Sequence, residues 1–376
     1  MSKHLSAQPY KVYLINRSDQ SSIPAARREG LGFCFVLGIR CWRSLIMHPL
    51  VCSFARLLPA ASYRTTAQRT LEHLYGASCV IPALEIGRRK LRKLYVKEGG
   101  ELDGIRSSKR GDRSNKWVEL ALQLAQRREV TVSRVPASRL DALSDGRPHQ
   151  GLVLAAAPLE CVQLRHLGCW QNEGDSDSRY SAVITKRESL TIPFSSREGR
   201  RRHPIWLALD QIVDPQNLGG ILRSAHFFDI DGVILTDRET APFSPFVSKA
   251  SAGALEVMDL YITPSLPKFL ESSAENGWHI YGTDIHSDNT ISLSEYSRAK
   301  HSGLEVPPLI HSPTILVLGS EGKGMRPVVS KACHDHLVIG DQVEDDEDAK
   351  GGGKYTVDSL NVSVAAGILM HTLVSA

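Results

Sequence analysis

Between Glu29 and Glu72 the chain has no acidic residue, while Arg40, Arg43, Arg56, Arg64 and Arg69 fall inside that stretch among scattered Ser and Thr. This excludes an ordinary mixed-charge protein surface there and matches the composition of a transit peptide. Residues 1–72 are therefore expected to be a mitochondrial targeting segment or disordered extension. From Met47 the chain reads as a complete Arg-containing amphipathic presequence of its own, so 1–46 is expected to be either an upstream extension or the product of an alternative start. Long apolar runs are also missing. The apolar segment 31–39 is too short to cross a bilayer. The seven cysteines include no Cys-x-x-Cys pair and are odd in number, which excludes a zinc ribbon and a fully paired disulfide framework. His334-Asp335-His336 places two histidines at i and i+2, which is not ligand spacing on a helix face. No metal site is expected.

A chain of 376 residues with 42% hydrophobic and 23% charged residues has room for two packed domains plus tails. The formal net charge of +4 is unevenly spread. Residues 88–97, 109–116 and 197–203 are basic, whereas 344–348 are acidic. Local basic clusters suit a polyanionic partner or a solvated face.

Folding signals begin near Tyr75. A helix is predicted over 80–87, a strand over 94–96, a helix over 117–128 and strands over 130–135 and 152–156. Such alternation over 73–157 predicts a small α/β domain. The polar composition of 158–203 predicts a linker. From 204 to 376 the pattern becomes regular. Strands are predicted at 205–209, 232–236, 258–263, 278–283, 314–319 and 336–339, with helices at 219–228, 245–254, 266–276, 327–332 and 362–374. Apolar strands alternating with helices imply a mostly parallel sheet covered on both faces, with functional loops at the strands' carboxyl ends.

Three segments carry chemical signals. Asp214-Pro215-Gln216-Asn217-Leu218-Gly219, with Arg223, follows a strand and enters a helix. Asn217 is placed to satisfy the first helical amides or to hold a neighbouring loop. Leu318-Gly319-Ser320-Glu321-Gly322, with Gly324-Met325, follows another strand. It has neither the Walker spacing nor a dinucleotide fingerprint. A carboxylate inside this glycine-rich loop would repel phosphate, so a cationic or neutral ligand fits better. Ser359-Leu360-Asn361-Val362-Ser363-Val364-Ala365 opens the last helix, with Ser359 or Asn361 as its N-cap.

In this order and spacing, the three segments resemble motifs 1, 2 and 3 of the SpoU (TrmH) family in the SPOUT superfamily. Lys249-Ala250-Ser251-Ala252-Gly253-Ala254 resembles a further family segment. More weakly, Leu74-Tyr75-Gly76 and His149-Gln150-Gly151-Leu152-Val153 resemble the family's N-terminal L30e-like RNA-binding domain. The resemblance implies an L30e-like domain over 73–157 followed by a trefoil-knotted α/β methyltransferase domain over 204–376. It also implies S-adenosylmethionine as cofactor and a homodimer. By resemblance, Gly319, Glu321, Gly322, Ile339, Ser359 and Leu360 bind the cofactor, largely through backbone, and Asn217, Arg223, Glu321 and Asn361 form the catalytic set.

Together with the targeting composition, the resemblance implies 2′-O-methylation of a guanosine ribose in mitochondrial large-subunit rRNA, in the matrix. The alternatives are a tRNA ribose methyltransferase of the same family and a non-catalytic ribosome-assembly factor. A guanidinium stays protonated in proteins, so Arg223 is read as a phosphate clamp and alkoxide stabiliser. The proton then goes to a phosphate oxygen or water. One departure stands out. The family usually has Ile-Pro-Met after the last strand, and this chain has Ile339-Gly340-Asp341, followed by an acidic, Gly-rich insertion at 342–356. Losing the proline is expected to loosen the cofactor lip, and the acidic run is expected to project away from RNA.

Overall fold

The computed structural model describes residues 71–99, 111–171, 179–185, 188–194, 203–283, 289–303, 309–322, 324–340 and 360–375, with backbone only at 111–115 and 193. The targeting segment expected at the N-terminus, Ser359, and the acidic insertion lie outside the described residues. So does the path of 341–359, on which the expected knot depends.

The first domain is a four-stranded mixed sheet. β1 (Glu72–Tyr75), β2 (Leu91–Lys97), β3 (Thr131–Val135) and β4 (Leu152–Ala156) run in the order β1-β4-β2-β3. Only the β2–β3 pair is parallel. Helices α1 (Ala77–Ile86) and α2 (Gly111–Arg127) cover one face. They pack Val80, Leu84, Leu124 and Ala125 on Leu94, Val96, Leu152 and Leu154. On the other face α3 (Ala137–Leu143) sets Leu140 against Tyr75 and Val153.

Residues 158–203, expected to be a linker, instead carry four strands. β5 (Val162–Gln163) pairs with an edge strand of the second domain. β6 (His166–Gln171), β7 (Arg179–Thr185) and β8 (Glu188–Pro193) form an antiparallel meander. Its buried side chains, Leu167, Tyr180, Ala182 and Ile184, are few and pack against Trp206 and Trp278 from the second domain, which hid it in the composition of 158–203. Tyr180 is wholly buried, and burial pushes its phenol well above the ordinary value. Its hydroxyl accepts from Trp206 Nε1 at 2.8 Å, while Trp278 Nε1 donates to Gly168 O at 2.9 Å. Buried indole and phenol groups thus keep their polar ends paired.

The second domain holds an eight-stranded, wholly parallel sheet. Its strands are β9 (Ile205–Leu209), β10 (Gly232–Thr236), β11 (Leu260–Thr263), β12 (His279–Gly282), β13 (Thr290–Ser292), β14 (Thr314–Leu318) and β15 (Asp335–Val338), with β5 added at the edge. The order is β13-β15-β12-β14-β9-β10-β11-β5. The central strands β9, β10 and β14 are buried at every position, which explains their uninterrupted apolar runs. The principal helices are α4 (Pro215–Phe227), α5 (Pro245–Ala250), α6 (Ala254–Val257), α7 (Leu266–Ala274), α8 (Leu293–His301), α9 (Pro327–Ser330) and α10 (Val362–Ser375). α4 and α10 pack closely through small residues. A Cβ at Gly220 would lie 2.9 Å from Ser363 Cβ, and one at Gly367 would lie 3.7 Å from Ser224 Oγ.

Candidate active site

Helix α4 begins four residues earlier than its glycines suggested. Asp214 is the N-cap, accepting from Gln216 N at 3.1 Å and Asn217 N at 3.3 Å, and Pro215 occupies the first helical position. Arg223 therefore sits in the third turn of the helix. Because Asp214 satisfies the helical amides, the Asn217 side chain is left to hold other segments.

Its carboxamide joins the three motifs. Asn217 Nδ2 donates to Glu321 Oε2 at 2.5 Å, and Asn217 Oδ1 accepts from Asn361 Nδ2 at 2.9 Å. Asn361 in turn caps α10. Its Oδ1 accepts from Ser363 N at 2.9 Å and from Ser363 Oγ at 2.6 Å, and its carbonyl accepts from Val364 N and Ala365 N. Of the two expected caps, Asn361 is the one the described residues contain. A carboxylate accepts, one carboxamide relays, and a second donates, so the relay has a defined direction.

The loop after β14 is held at both ends. Ser320 and Gly324 exchange backbone hydrogen bonds, N to O at 3.0 Å and 2.9 Å. This folds the chain back so tightly that a Cβ on Gly319 would lie 2.4 Å from Met325 N. Only glycine fits there. At its exit, Arg326 N donates to Asp210 Oδ2 at 3.1 Å, and the Arg326 guanidinium pairs with the same carboxylate, Nη2 to Oδ1 at 2.6 Å. Asp210 lies buried at the end of β9. No motif in the sequence marks Asp210 and Arg326 as partners. An acidic residue directly after a fully apolar strand was the signal available, because such a carboxylate needs a buried partner.

Arg223 is exposed and forms no hydrogen bond or ion pair with another described residue. Glu321 holds the loop to Asn217. Ile339 is half-buried and packs on the sheet's core, while Ser292 Oγ donates to Gly340 O at 3.1 Å. Leu360 is exposed. The ends of β9, β14 and β15 and the start of α10 thus converge on one side of the sheet, at its carboxyl edge.

Two family models match this chain. Residues 204–371 match the SpoU rRNA Methylase family, and residues 73–162 match RNA 2′-O ribose methyltransferase substrate binding. A human protein named "rRNA methyltransferase 1, mitochondrial" is 33% identical over 305 residues, covering 81% of this chain and 73% of that protein. The chain belongs to the SpoU rRNA methylase family. A longer Dictyostelium discoideum protein of the same name is 35% identical over 66% of this chain, but the match spans only 42% of that protein. A solved structure of an AdoMet-bound rRNA methyltransferase from Sinorhizobium meliloti shares the fold, with a TM-score of 0.53 and 18% identity over 81% of this chain and 86% of the other.

Membership makes the chain a methyltransferase that uses S-adenosylmethionine. The donor set fits that cofactor. Glu321 is a carboxylate in this loop, which suits a sulfonium cation, while Lys323, two residues on, lies outside the described residues. Open space beside Gly340 and the exposed Leu360 supply backbone and apolar surface at the rim.

Proposed function

We propose that the protein methylates the 2′-oxygen of a guanosine ribose in mitochondrial large-subunit ribosomal RNA, as a homodimer in the matrix. The observation that carries this reading is the Glu321–Asn217–Asn361 relay on the helix that presents Arg223 with no protein partner among the described residues. Gly319, Gly322, Ile339, Ser359 and Leu360 would hold the cofactor. S-adenosylmethionine supplies an electrophilic methyl group on sulfur.

The remaining requirements fall to the chain. The ribose oxygen must approach in line with that methyl group, and its proton must leave. A guanidinium cannot accept that proton at ordinary pH. Arg223 instead binds the adjoining phosphate and stabilises the developing alkoxide. The proton passes to a phosphate oxygen or water. Asn217, Glu321 and Asn361 keep the loop and the two helices in register, so that approach is fixed before RNA arrives.

Support for a homodimer comes from the exposed apolar surface of two helices that pack together. Phe227 on α4 is 79% exposed, and Val364 and Ile368 on α10 are also exposed. Support for mitochondrial rRNA comes from the acid-free N-terminal composition and the names of the two relatives. The test is to delete the gene and map 2′-O-methyl groups on mitochondrial rRNA. Loss of one guanosine mark, restored by the wild-type gene and not by Arg223→Ala, is the expected result. Unchanged rRNA methylation defeats the proposal.

A further inference from the structure

Three family-like segments take no part in the methyl-transfer site: Leu74-Tyr75-Gly76, His149-Gln150-Gly151 and the run from Lys249 to Ala254. In the folded chain they meet at one seam, where the first domain rests on α5 and α6. Gln150 Oε1 accepts from Ala77 N at 3.1 Å. His149 fixes its own turn, accepting from Gly151 N through Nδ1 at 3.0 Å and reaching Asp141 Oδ1 through Nε2 at 3.1 Å. Backbone meets backbone across the seam. A Cβ at Gly253, where φ is +90°, would lie 2.0 Å from Ser78 O. Beside it, Arg89 joins a carboxylate from each domain, Nη1 to Glu72 Oε2 at 2.6 Å and Nε to Glu256 Oε2 at 2.8 Å.

Two further cations at this seam lack such partners. Lys249 Nζ and Arg147 Cζ each lie 5.8 Å from the centroid of the Tyr75 ring. Arg147 Cζ is also 5.3 Å from the Phe246 ring, and its Nη1 donates to the Tyr75 hydroxyl at 3.2 Å. Lys249 has no hydrogen-bond or ion-pair partner among the described residues, and the one hydrogen bond of Arg147 goes to a neutral phenol. The carboxylates at hand are engaged elsewhere: Glu72 and Glu256 with Arg89, and Asp141 with His149. Two positive charges over one aromatic ring, with no carboxylate between them, form a site that an anion would complete.

We propose that the seam is a phosphodiester-binding subsite for RNA, in which Lys249 and Arg147 take backbone phosphates across the boundary between the two domains. The proposal rests on the RNA substrate proposed above. Placement favours it. Lys249 is followed directly by Ala250, and a Cβ at Gly219 of α4 would lie 2.3 Å from Ala250 Cβ. The seam is therefore one helix away from the helix that carries Asn217 and Arg223. The Arg89 ion pairs hold its two halves at a fixed spacing, so bound RNA meets both domains in one register.

The test is fluorescence anisotropy of the full-length chain with a labelled stem-loop RNA over a range of salt concentrations. Lys249→Gln and Arg147→Gln are each expected to weaken binding several-fold at low salt. Each is also expected to reduce the slope of log affinity against log salt by about 0.7–0.9, one phosphate contact's worth. Lys249→Arg should keep the wild-type slope. Lys268→Gln, which changes an exposed lysine on α7 outside the seam, should leave binding and slope unchanged. Cofactor binding measured by calorimetry should stay at the wild-type value in every variant. A double seam variant with wild-type affinity and slope overturns the subsite alone. A Lys249→Arg variant as weak as Lys249→Gln also overturns it, because the lysine is then a packing element. Failure of the wild-type chain to bind any RNA overturns the subsite together with the function it rests on.

Discussion

Asn217 and Glu321 lie 104 residues apart in the chain and share a 2.5 Å hydrogen bond between carboxamide and carboxylate. The bond is informative because the Asn217 carboxamide oxygen accepts from Asn361, so the amide cannot flip without breaking both contacts. Asn217→Asp would place two carboxylates face to face. One of them must then hold a proton for the pair to survive. The variant should lose on the order of 100-fold in methyl transfer at neutral pH and recover part of that loss as pH falls. A pH–rate profile of the variant identical in shape to the wild type would remove the relay from the mechanism.

Arg223 should behave as a directional donor rather than as a simple positive charge. Removing one such donor typically lowers turnover by roughly 100- to 1,000-fold. Arg223→Ala should show a loss of that order. Arg223→Lys, which keeps the charge without the planar fork, should recover little of it at saturating RNA. Single-turnover methylation measures both, and near-normal turnover by the lysine variant would rule out a bidentate role.

Packing between α4 and α5 should be sensitive to one methyl group. A Cβ on Gly219 would meet Ala250 Cβ at 2.3 Å, so Gly219→Ala must push the helices apart at a cost of about 1–3 kcal/mol. Adding Ala250→Gly should restore most of that stability. Urea unfolding of the single and double variants checks the pair, and the absence of any rescue would place the strain elsewhere.

Arg89 is buried between Glu72 and Glu256, so Arg89→Met leaves the buried Glu256 and the half-buried Glu72 without a cation. The expected loss is about 3–5 kcal/mol by urea unfolding. Replacing all three residues together, with Arg89→Met, Glu72→Gln and Glu256→Leu, should recover most of it. A triple variant as unstable as Arg89→Met would show that the seam needs charge and not merely filling.

Stability should also fall on mild acidification. Burial lowers the pKa of His73, His166, His203 and His279 below the ordinary 6.5. The unfolded chain then takes up protons before the folded one does. The stability contributed by these neutral imidazoles is complete above pH 6.5 and is lost as pH falls through the folded values. His279→Gln should flatten that slope in denaturant midpoints measured across the acid range. A slope unchanged by the substitution would exclude His279 as a contributor.

Much of this arrangement was legible in the sequence. The apolar runs at β9, β10 and β14 announced buried parallel strands, and Asn217, Glu321 and Asn361 were placed at the right strand and helix ends. The meander was not legible. Residues 172–178 are polar, and the aromatic contacts that anchor it join Tyr180 to Trp206 and Trp278, which are far apart in sequence. The alternation of Tyr180, Ala182 and Ile184 with half-exposed neighbours was the one local sign of β7. The start of α4 was misplaced because its glycines drew attention from Asp214-Pro215, a stronger initiation signal. Arg89 and Glu256 could not be paired by inspection, since a buried ion pair across 167 residues leaves no local pattern.

The placement of β5 at the edge of the large sheet has a consequence in time. Val162 and Gln163 are made early, yet their partners Tyr261 and Ile262 follow about 100 residues later. At about 5–20 residues per second, the ribosome takes roughly 5–20 s to cover that interval. Of the meander's docking surfaces, Trp206 is made within that wait and Trp278 only after it. Until then Tyr180 is an aromatic side chain without its indole partners, exposed to the aggregation that incomplete cores invite.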